Sequence, residues 1–598
     1  MRVCDYIAKF LVNQGVKDVF MVSGGGLMFL TDGLACNKDI KVTCCHHEQA
    51  VAMAVCAYAK YKGFGCGYVT TGCGGTNAMT GLLNAWQDNT PCIFISGQCK
   101  RKETLQNVGV KTRQIGVQEA DIVTLVSSIT KYAVMINDPN DIKYHLEKAT
   151  YLAKSGRPGP VWIDVPMDVQ SAEINEDELR GFSPAELYKE KEEATVNEIK
   201  SLKADILKAQ RPIIIAGQGV RLSGAIELFD KFVHRHNIPF VTSRMGLDVL
   251  PTEDDLYIGR IGNKGTRAGN FAVQNADLVL VLGSRLSVSS TGQQYEFFAR
   301  NAKVIVVDID KYEHTKNTVH IEQVIYADVS DVLRKLELSD DIVDYKEWAA
   351  KCKHWKDKWP VCQKEYYDDP TGINMYVFVE ELSKALKEDS VVIGDAGSAV
   401  YVPPQGIKTT SKRQRYITSG AQAEMGFSLP AAVGVCVARE NKEVLAITGD
   451  GSLQMNIQEL QTLKHYKLPV KLFVWNNDGY LSIRATQRKF FEGRYIGTDE
   501  TSGVSFPDLS KIAPAYGLRY VKISSVNELP EKLKEVMEYD EPVVCEVMTI
   551  RDQAVIPTIS SKKAEDGRLV SMPPEDMYPF LDREEFAEEM IVDSVITN

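Results

Sequence analysis

The chain has 598 residues, 44% hydrophobic and 25% charged, with a formal net charge of −11. That length exceeds a single hydrophobic core and calls for three or four domains. The acidic balance without a long basic run argues against a nucleic-acid surface, and no apolar run reaches the roughly 18 residues of a membrane span. Thirteen cysteines, many inside apolar runs and none in zinc-ligand spacing, read as reduced thiols of a cytoplasmic protein.

Residues 1–180 alternate short apolar runs with helical patterns, the signature of a doubly wound α/β unit. The first twenty residues put Asp5, Lys9 and Lys17 on a helical pattern, which does not match a signal peptide. Val19–Val22 reads as a strand leading into a flexible turn, Ser23-Gly24-Gly25-Gly26. Lys41–Cys45 is the next strand, and Glu48 opens the Ala-rich helix behind it, a place where the helix dipole alone favours a carboxylate. Gly67–Thr71, Pro91–Ser96 and Pro158–Pro166 are further strands, with a second Gly-rich turn at Gly72–Asn77 and a polar loop at 113–121. Residues 172–200 are Glu/Lys-rich, a linker with a solvated helix.

Residues about 200–335 form a second α/β unit. Its strands Pro212–Gly217, Asp277–Leu282 and Val304–Val307 end in Gly217-Gln218-Gly219, Gly283-Ser284-Arg285 and Asp308-Ile309-Asp310. The first of these turns lacks a full G-x-G-x-x-G, so it does not by itself specify a dinucleotide. A charged helical connector with three tryptophans, residues 342–368, is expected to pack on a neighbour. A third α/β unit, 370–555, opens with strand Val391–Gly394 and Asp395-Ala396-Gly397-Ser398. The tail, 556–598, carries four prolines and an acidic helix, Asp582–Met590, and is expected to wrap the surface.

The densest chemistry lies between Val444 and Tyr480. An apolar strand enters Gly449-Asp450-Gly451-Ser452, a helix follows, and a second apolar strand ends in Asn476-Asn477-Asp478-Gly479. A strand–helix–strand of this length returns both ends to one edge of a parallel sheet, where α/β folds bind ligands. Asp450 offers a carboxylate oxygen, Asn477 an amide oxygen and Gly479 a backbone carbonyl, a hard-oxygen set suited to Mg²⁺ shared with phosphate. The glycines at 449 and 451 let backbone approach phosphate, and the helix near Ser452 offers free N–H groups. The plain alternative is an ordinary βαβ unit with Asp450 as an N-cap.

These segments resemble the thiamine diphosphate (ThDP)-dependent enzymes of acetolactate synthase type over essentially the full chain. The resemblance is carried by HEQA at 47–50, TTGCGGTNAMTGL at 70–82, DNTPCIFISGQ at 88–98, VQEAD at 117–121, GPVWIDVP at 159–166, EMGFSLPAA at 424–432, GDGS at 449–452 and NND at 476–478. It implies three doubly wound parallel-sheet domains: pyrimidine-binding (1–180), central and Rossmann-like (190–340) and diphosphate-binding (370–555), with a tail at 556–598. It also implies an active site shared between subunits of a homodimer or homotetramer. The implied cofactors are ThDP and Mg²⁺, and FAD in the central domain stays open. The implied reaction decarboxylates a 2-oxoacid such as pyruvate and transfers the acyl fragment to a carbonyl acceptor. A non-ligating decarboxylase and a flavin-linked 2-oxoacid oxidase are the alternatives.

Carried over residue by residue, the resemblance makes Glu48 the carboxylate that hydrogen-bonds the aminopyrimidine and drives its imino tautomer, and puts Gln118 in the substrate pocket. Gly25, Thr71 and Asn77 fall beside the cofactor, the Ala423 carbonyl holds its amino group, and Met425 wedges its two rings face to face. Gly449, Gly451, Ser452 and Tyr480 surround the diphosphate, while Asp450, Asn477 and Gly479 hold the metal. The chain also departs from the pattern. An Asp-Arg pair that places the acceptor's carboxylate is replaced by Val288-Ser289, and a Trp past the metal loop by Thr486. Losing a bidentate arginine weakens the case for a second simple 2-oxoacid as acceptor. Arg484 or Arg488 is a candidate substitute, for a larger polar acceptor such as a keto-sugar nucleotide; the plain alternative is that both are solvated surface arginines.

Overall fold

The computed structural model describes residues 1–187, 193–337, 343–563 and 569–595; parts of the charged linker and of the tail fall outside them. Three six-stranded, wholly parallel sheets follow one another along the chain. The first contains β1 (Asp18–Met21), β2 (Lys41–Cys44), β3 (Gly65–Val69), β4 (Cys92–Gln98), β5 (Tyr132–Met135) and β6 (Pro160–Pro166), in the order β2-β1-β3-β4-β6-β5. The second contains β7 (Pro212–Ala216), β8 (Phe240–Thr242), β9 (Tyr257–Arg260), β10 (Leu278–Leu282), β11 (Lys303–Asp308) and β12 (Gln323–Tyr326), in the order β12-β11-β10-β7-β8-β9. The third contains β13 (Val391–Gly394), β14 (Arg415–Ile417), β15 (Val444–Gly449), β16 (Val470–Asn476), β17 (Arg519–Ile523) and β18 (Val543–Met548), in the order β14-β13-β15-β16-β18-β17. The central strands are buried on both faces, which is why they read as unbroken apolar runs.

The central order is that of a doubly wound Rossmann sheet, with its switch point between β10 and β7. The outer two sheets share a different order and are joined through one core. Helix Glu48–Lys62, buried along Ala50–Ala59, packs on helix Ser428–Ala438 of the third unit. The small side chains along both helices permit that approach, and their burial places the pyrimidine-side and diphosphate-side elements in one hydrophobic cluster. The helix Lys346–Lys358 bears out the packing expected of its tryptophans: Trp355 and Trp359 meet Phe271 edge-on at 5.4 and 4.8 Å. The tail lies over the second unit. Arg267 donates to the carbonyls of Met577 and Pro579, and Lys351, His354, Trp355 and Lys358 converge on Glu589.

Two local expectations are corrected. The Gly24–Gly26 turn is not loose: a Cβ at Gly24 would strike Thr70 and one at Gly26 would strike Thr71, and Gly25–Leu27 is a 3₁₀ turn. The helix after Gly449 begins at Asp450 rather than Ser452, and Asp450 is its first residue rather than its cap. Among the described residues no helix is long and apolar enough to cross a membrane.

Candidate active site

At the carboxyl end of β15 the chain turns through Gly449 into the short helix Asp450–Leu453, and the end of β16 lies beside it. Asp450 is buried and its carboxylate organises the neighbouring loop. Oδ1 accepts from Gly451 N–H at 2.7 Å, and Oδ2 accepts from the N–H groups of Asn477 and Gly479 at 3.1 Å each. Burial outweighs those bonds and pushes the Asp450 acid up to about 6. The buried Asn477 amide points an Oδ1 that has no hydrogen-bond partner. An orphaned oxygen next to a buried carboxylate is the arrangement a hard cation satisfies. Gly479 sits at φ +136°, which a side chain would strain, and its Cβ would meet Arg484 at 2.6 Å.

Arg484 fixes the loop from beneath. It is buried, its Nη1 and Nη2 donate to the carbonyls of Asp478 and Asn477 at 3.0 Å each, Nη2 also reaches the Arg551 carbonyl, and Nε meets Asp552 at 2.8 Å. All of its edges are engaged, so Arg484 is not the free acceptor clamp expected from the sequence. Arg488 shares Asp552 at 3.3 Å from an exposed position. Tyr480 packs edge-on against Phe506, and both rings close over Gly451.

Asp395, at the end of β13, is the residue that reading the sequence missed. It is buried and collects the hydroxyls of Ser452, Ser428 and Thr448 at 2.8, 2.9 and 2.7 Å. Ser452 Oγ in turn accepts from Gly426 N–H at 2.8 Å, tying the GDGS turn to the segment after Met425. The neighbouring Ser398 hydroxyl is buried without a partner. Gly394-Asp395-Ala396-Gly397-Ser398 repeats the plan of Gly449-Asp450-Gly451-Ser452 after a buried strand, and that repeat was the available signal.

The turn Ser419–Gly426 is held by the first unit. Asp88, itself buried and paired with Lys60 at 2.7 Å, accepts from Gly420 and Ala421 N–H at 2.7 and 2.9 Å. Asn84 donates to Glu424 at 2.6 Å, and the Ser419 hydroxyl also reaches Glu424. Ala423 adopts φ +50°, and Met425 stands 38% exposed at the end of this braced turn.

On the first sheet's edge, Glu48 is buried at the start of its helix and accepts from Asn77 Nδ2 at 3.0 Å. Gly74 leaves room for the other carboxylate oxygen, since a Cβ there would lie 3.3 Å from Oε1. Thr71 donates to the Gly97 carbonyl, Thr70 Oγ1 is buried without a partner, and Gly25 faces open space. Gln118 lies exposed in the 113–121 loop at φ +60°, its carbonyl against Gly72. That loop is anchored by Glu119, which accepts from Ile115 and Gly116, and by Gln98, which bridges the Ala120 carbonyl and buried Asp164. Among the described residues no hydrogen bond or ion pair joins Glu48 to the Asp450–Gly479 loop.

Family models for the thiamine pyrophosphate enzymes match in chain order: the N-terminal TPP binding domain at 1–124, the central domain at 199–336 and the C-terminal TPP binding domain at 395–547. The chain belongs to the thiamine pyrophosphate enzymes. It is a ThDP-dependent enzyme of the acetolactate-synthase-like branch. It is 33% identical over 556 residues to the acetolactate synthase large subunit of Lactococcus lactis, covering 92% of this chain and 93% of that one. The large subunit of Haemophilus influenzae is 31% identical over 600 residues, 96% and 98% of the two chains. Acetolactate synthase 2, chloroplastic, of Nicotiana tabacum is 32% identical over 577 residues, 93% and 83%. The residues around Asp450 fit this cofactor's diphosphate: unpartnered Asn477 Oδ1 and Ser398 Oγ, a glycine turn and the braced loop Asn477–Gly479 lie together at one sheet edge.

Proposed function

We propose that this enzyme is a Mg²⁺-requiring carboligase that decarboxylates a pyruvate-like 2-oxoacid and transfers the acyl fragment to a carbonyl acceptor. The observation that carries it is the buried, unpartnered Asn477 Oδ1 beside Asp450, read with the acetolactate synthases that the chain resembles. Asp450, Asn477 and the Gly479 carbonyl would hold the metal, with Gly449, Gly451, Ser452 and Tyr480 around the diphosphate. Bound ThDP supplies the electron sink for loss of CO₂. The chain's own work is to orient and to move protons. Glu48, with Asn77 fixing one oxygen, hydrogen-bonds the aminopyrimidine; the Ala423 carbonyl receives the amino group; Met425 fills the space beneath the rings; Gly25 and Thr71 leave room at the rim; Gln118 faces the substrate. Water exclusion around the acceptor decides between ligation and release of aldehyde.

Domain bounds of 1–180, 190–340 and 370–555 accompany this reading. So does at least a homodimer, as the shared active site of the acetolactate synthase type implies. Val288 and Ser289, in place of an Asp-Arg pair, favour an acceptor larger than a second 2-oxoacid, of keto-sugar type. The test is incubation with pyruvate and a panel of carbonyl acceptors, with products read by mass spectrometry. A ligated ketol supports the proposal; free aldehyde alone assigns a decarboxylase, and oxygen uptake an oxidase. A cavity of about 1310 Å³ at the carboxyl ends of the central strands also meets the position and size for FAD. Flavin absorbance in the purified protein assigns it; a colourless, active protein removes it.

A further inference from the structure

The cavity over the central sheet is bounded on one side by Gly219, Gly283–Arg285 and Asp308, and on the other by Arg244, Tyr401 and Gly420–Ala423. Its wall includes Ser287–Ser290, the segment with Val288-Ser289 where the resemblance expects an acceptor-placing arginine. Arg244 lines the same cavity. Its guanidinium lies 5.0 Å over the Tyr401 ring, Nη1 donates to the Gly420 carbonyl at 2.8 Å, and Nε is buried without a partner.

Arg244 is not alone. Arg260, at the end of β9, is 2% exposed; it bonds to the Lys264 carbonyl, and its Nε is likewise buried and unpartnered. Burial, and then the charge of Arg244, push the Arg260 guanidinium down to about 10. Lys264 donates to the Val555 carbonyl at 2.9 Å, and burial followed by the charges of Lys489 and Arg260 pushes it down to about 8. Lys489 belongs to helix Leu481–Phe490, directly after the metal loop. Among the described residues no carboxylate lies within ion-pair distance of Arg244, Arg260 or Lys264. The Asn263 N–H donates to the Ser289 carbonyl at 2.9 Å, so the loop carrying Lys264 packs on the segment that lost its arginine.

Buried cations are ordinarily paired, because desolvation of an unpaired charge costs several kcal/mol (roughly). Here the buried Arg260 gathers with the half-buried Arg244 and Lys264, and the other groups that meet them are carbonyls, tyrosines and a further cation, Lys489. We infer that Arg244, backed by Arg260 and Lys264, binds an anionic group of the acceptor, a phosphate or a carboxylate, at the mouth of the cavity nearest Ala423. This rests on the carboligase reading above and names the acceptor's chemistry: an anion recognised from the central unit rather than from position 289. Planar, always-charged arginine suits that task.

The test uses holoenzyme saturated with ThDP and Mg²⁺. Three acceptors are compared: a nucleoside-diphosphate keto-sugar, a 2-oxoacid and uncharged acetaldehyde. Arg244→Leu is expected to lower kcat/KM for the anionic acceptor by about 10- to 100-fold relative to acetaldehyde, the size of a lost charge-assisted hydrogen bond, with Arg244→Lys restoring part. Whether the phosphate or the carboxylate arm falls tells which anion is read. An equal loss on all three acceptors, or none, overturns the inference. Inorganic pyrophosphate gives a readout without turnover: it should raise the Tm of the wild-type holoenzyme and not that of Arg244→Leu, and an equal shift in both overturns it. If the wild type releases no CO₂ from any 2-oxoacid, the carboligase reading fails while the pyrophosphate result still judges Arg244.

Discussion

The first and third units are built on one plan and satisfy their buried acids differently. Both sheets run second strand, first, third, fourth, sixth, fifth, and both present Gly-rich turns at the carboxyl edge. In the first unit the edge carries Glu48, a buried carboxylate with a single side-chain donor, Asn77, and space around its other oxygen. In the third the edge carries Asp450, whose two oxygens are filled by three backbone N–H groups of its own neighbourhood. A carboxylate left with a free oxygen is available to a ligand. Asp450 spends three of a carboxylate's about four acceptor sites on N–H groups, which shapes the loop in which Asn477 presents its oxygen and leaves the Asp450 Oδ1 room for a cation. The same topology thus yields two edges that differ in how completely each acid is satisfied, and the proposal gives one the proton-handling and the other the metal-and-phosphate role.

The largest expected effect comes from breaking the proton-handling edge. Glu48→Gln keeps size and one hydrogen bond but removes the charge, and turnover with saturating ThDP should fall about 10²- to 10⁴-fold. ThDP binding, followed by calorimetry, should change far less. Near wild-type turnover would remove Glu48 from the chemistry. Breaking the other edge should show the reverse pattern. Asp450→Ala takes away the acceptor for three N–H groups and one metal oxygen, so the apparent affinity for ThDP and Mg²⁺ should drop about 100-fold or more. Excess cofactor should recover part of the rate. Chelation of the wild type followed by Mg²⁺ add-back should inactivate and then restore it. If Asp450→Ala lowered kcat with cofactor affinity intact, the division between the two edges would be wrong.

A smaller effect sharpens the comparison within the metal edge. Arg484→Met leaves the Asn477 and Asp478 carbonyls without their buried donor and strands Asp552. The loss in stability should be about 2–4 kcal/mol, read as a lower midpoint in urea, with weaker ThDP binding as the loop loosens. Arg488→Met, exposed and 3.3 Å from the same carboxylate, should cost within about 0.5–1 kcal/mol.

How far the sequence carried follows from these residues. The buried strands β1, β4, β6, β7, β10, β13, β15 and β16 were legible because parallel strands covered on both faces are unbroken apolar runs. The strands β8, β12, β14 and β17 were not: they are three to five residues long, and β17 alternates exposed and buried positions at the sheet's edge. The GDGS–NND pair was legible as chemistry because carboxylate, amide and glycine occur at one spacing. Arg484 was misread because sequence shows a cation but not its burial; three of the four groups it meets are backbone carbonyls, and the fourth, Asp552, lies 68 positions away. The Arg244–Arg260–Lys264 cluster was invisible for the same reason. Its members become notable only once folding shows that, among the described residues, no carboxylate joins them.

An effect seen only as a change with pH concerns Asp164, which braces the loop of Gln118 without touching either edge's acid. It is fully buried on β6, accepts from Ser96 Oγ at 2.5 Å and Gln98 Nε2 at 3.0 Å, and through Gln98 reaches the Ala120 carbonyl. Burial is the dominant influence and pushes its acid up to about 7, against the downward pull of those two bonds. The sign follows from linkage. Between the ordinary carboxylate range near 3.8 and about 7, the folded protein holds a proton on Asp164 that the unfolded chain has released. Stability from this group is therefore full below the unfolded value, falls as pH rises through that window, and is flat above it. Each unit of displacement is worth about 1.4 kcal/mol. Asp164→Asn cannot titrate, and any mismatch of its amide with Gln98 is the same at every pH. The difference in unfolding free energy between variant and wild type, measured by urea titration from pH 5 to pH 8, should move in the variant's favour by at least about 1.4 kcal/mol. A constant difference across that range would mean that Asp164 is ionised throughout and that the Gln118 loop rests on a charged, not a neutral, support.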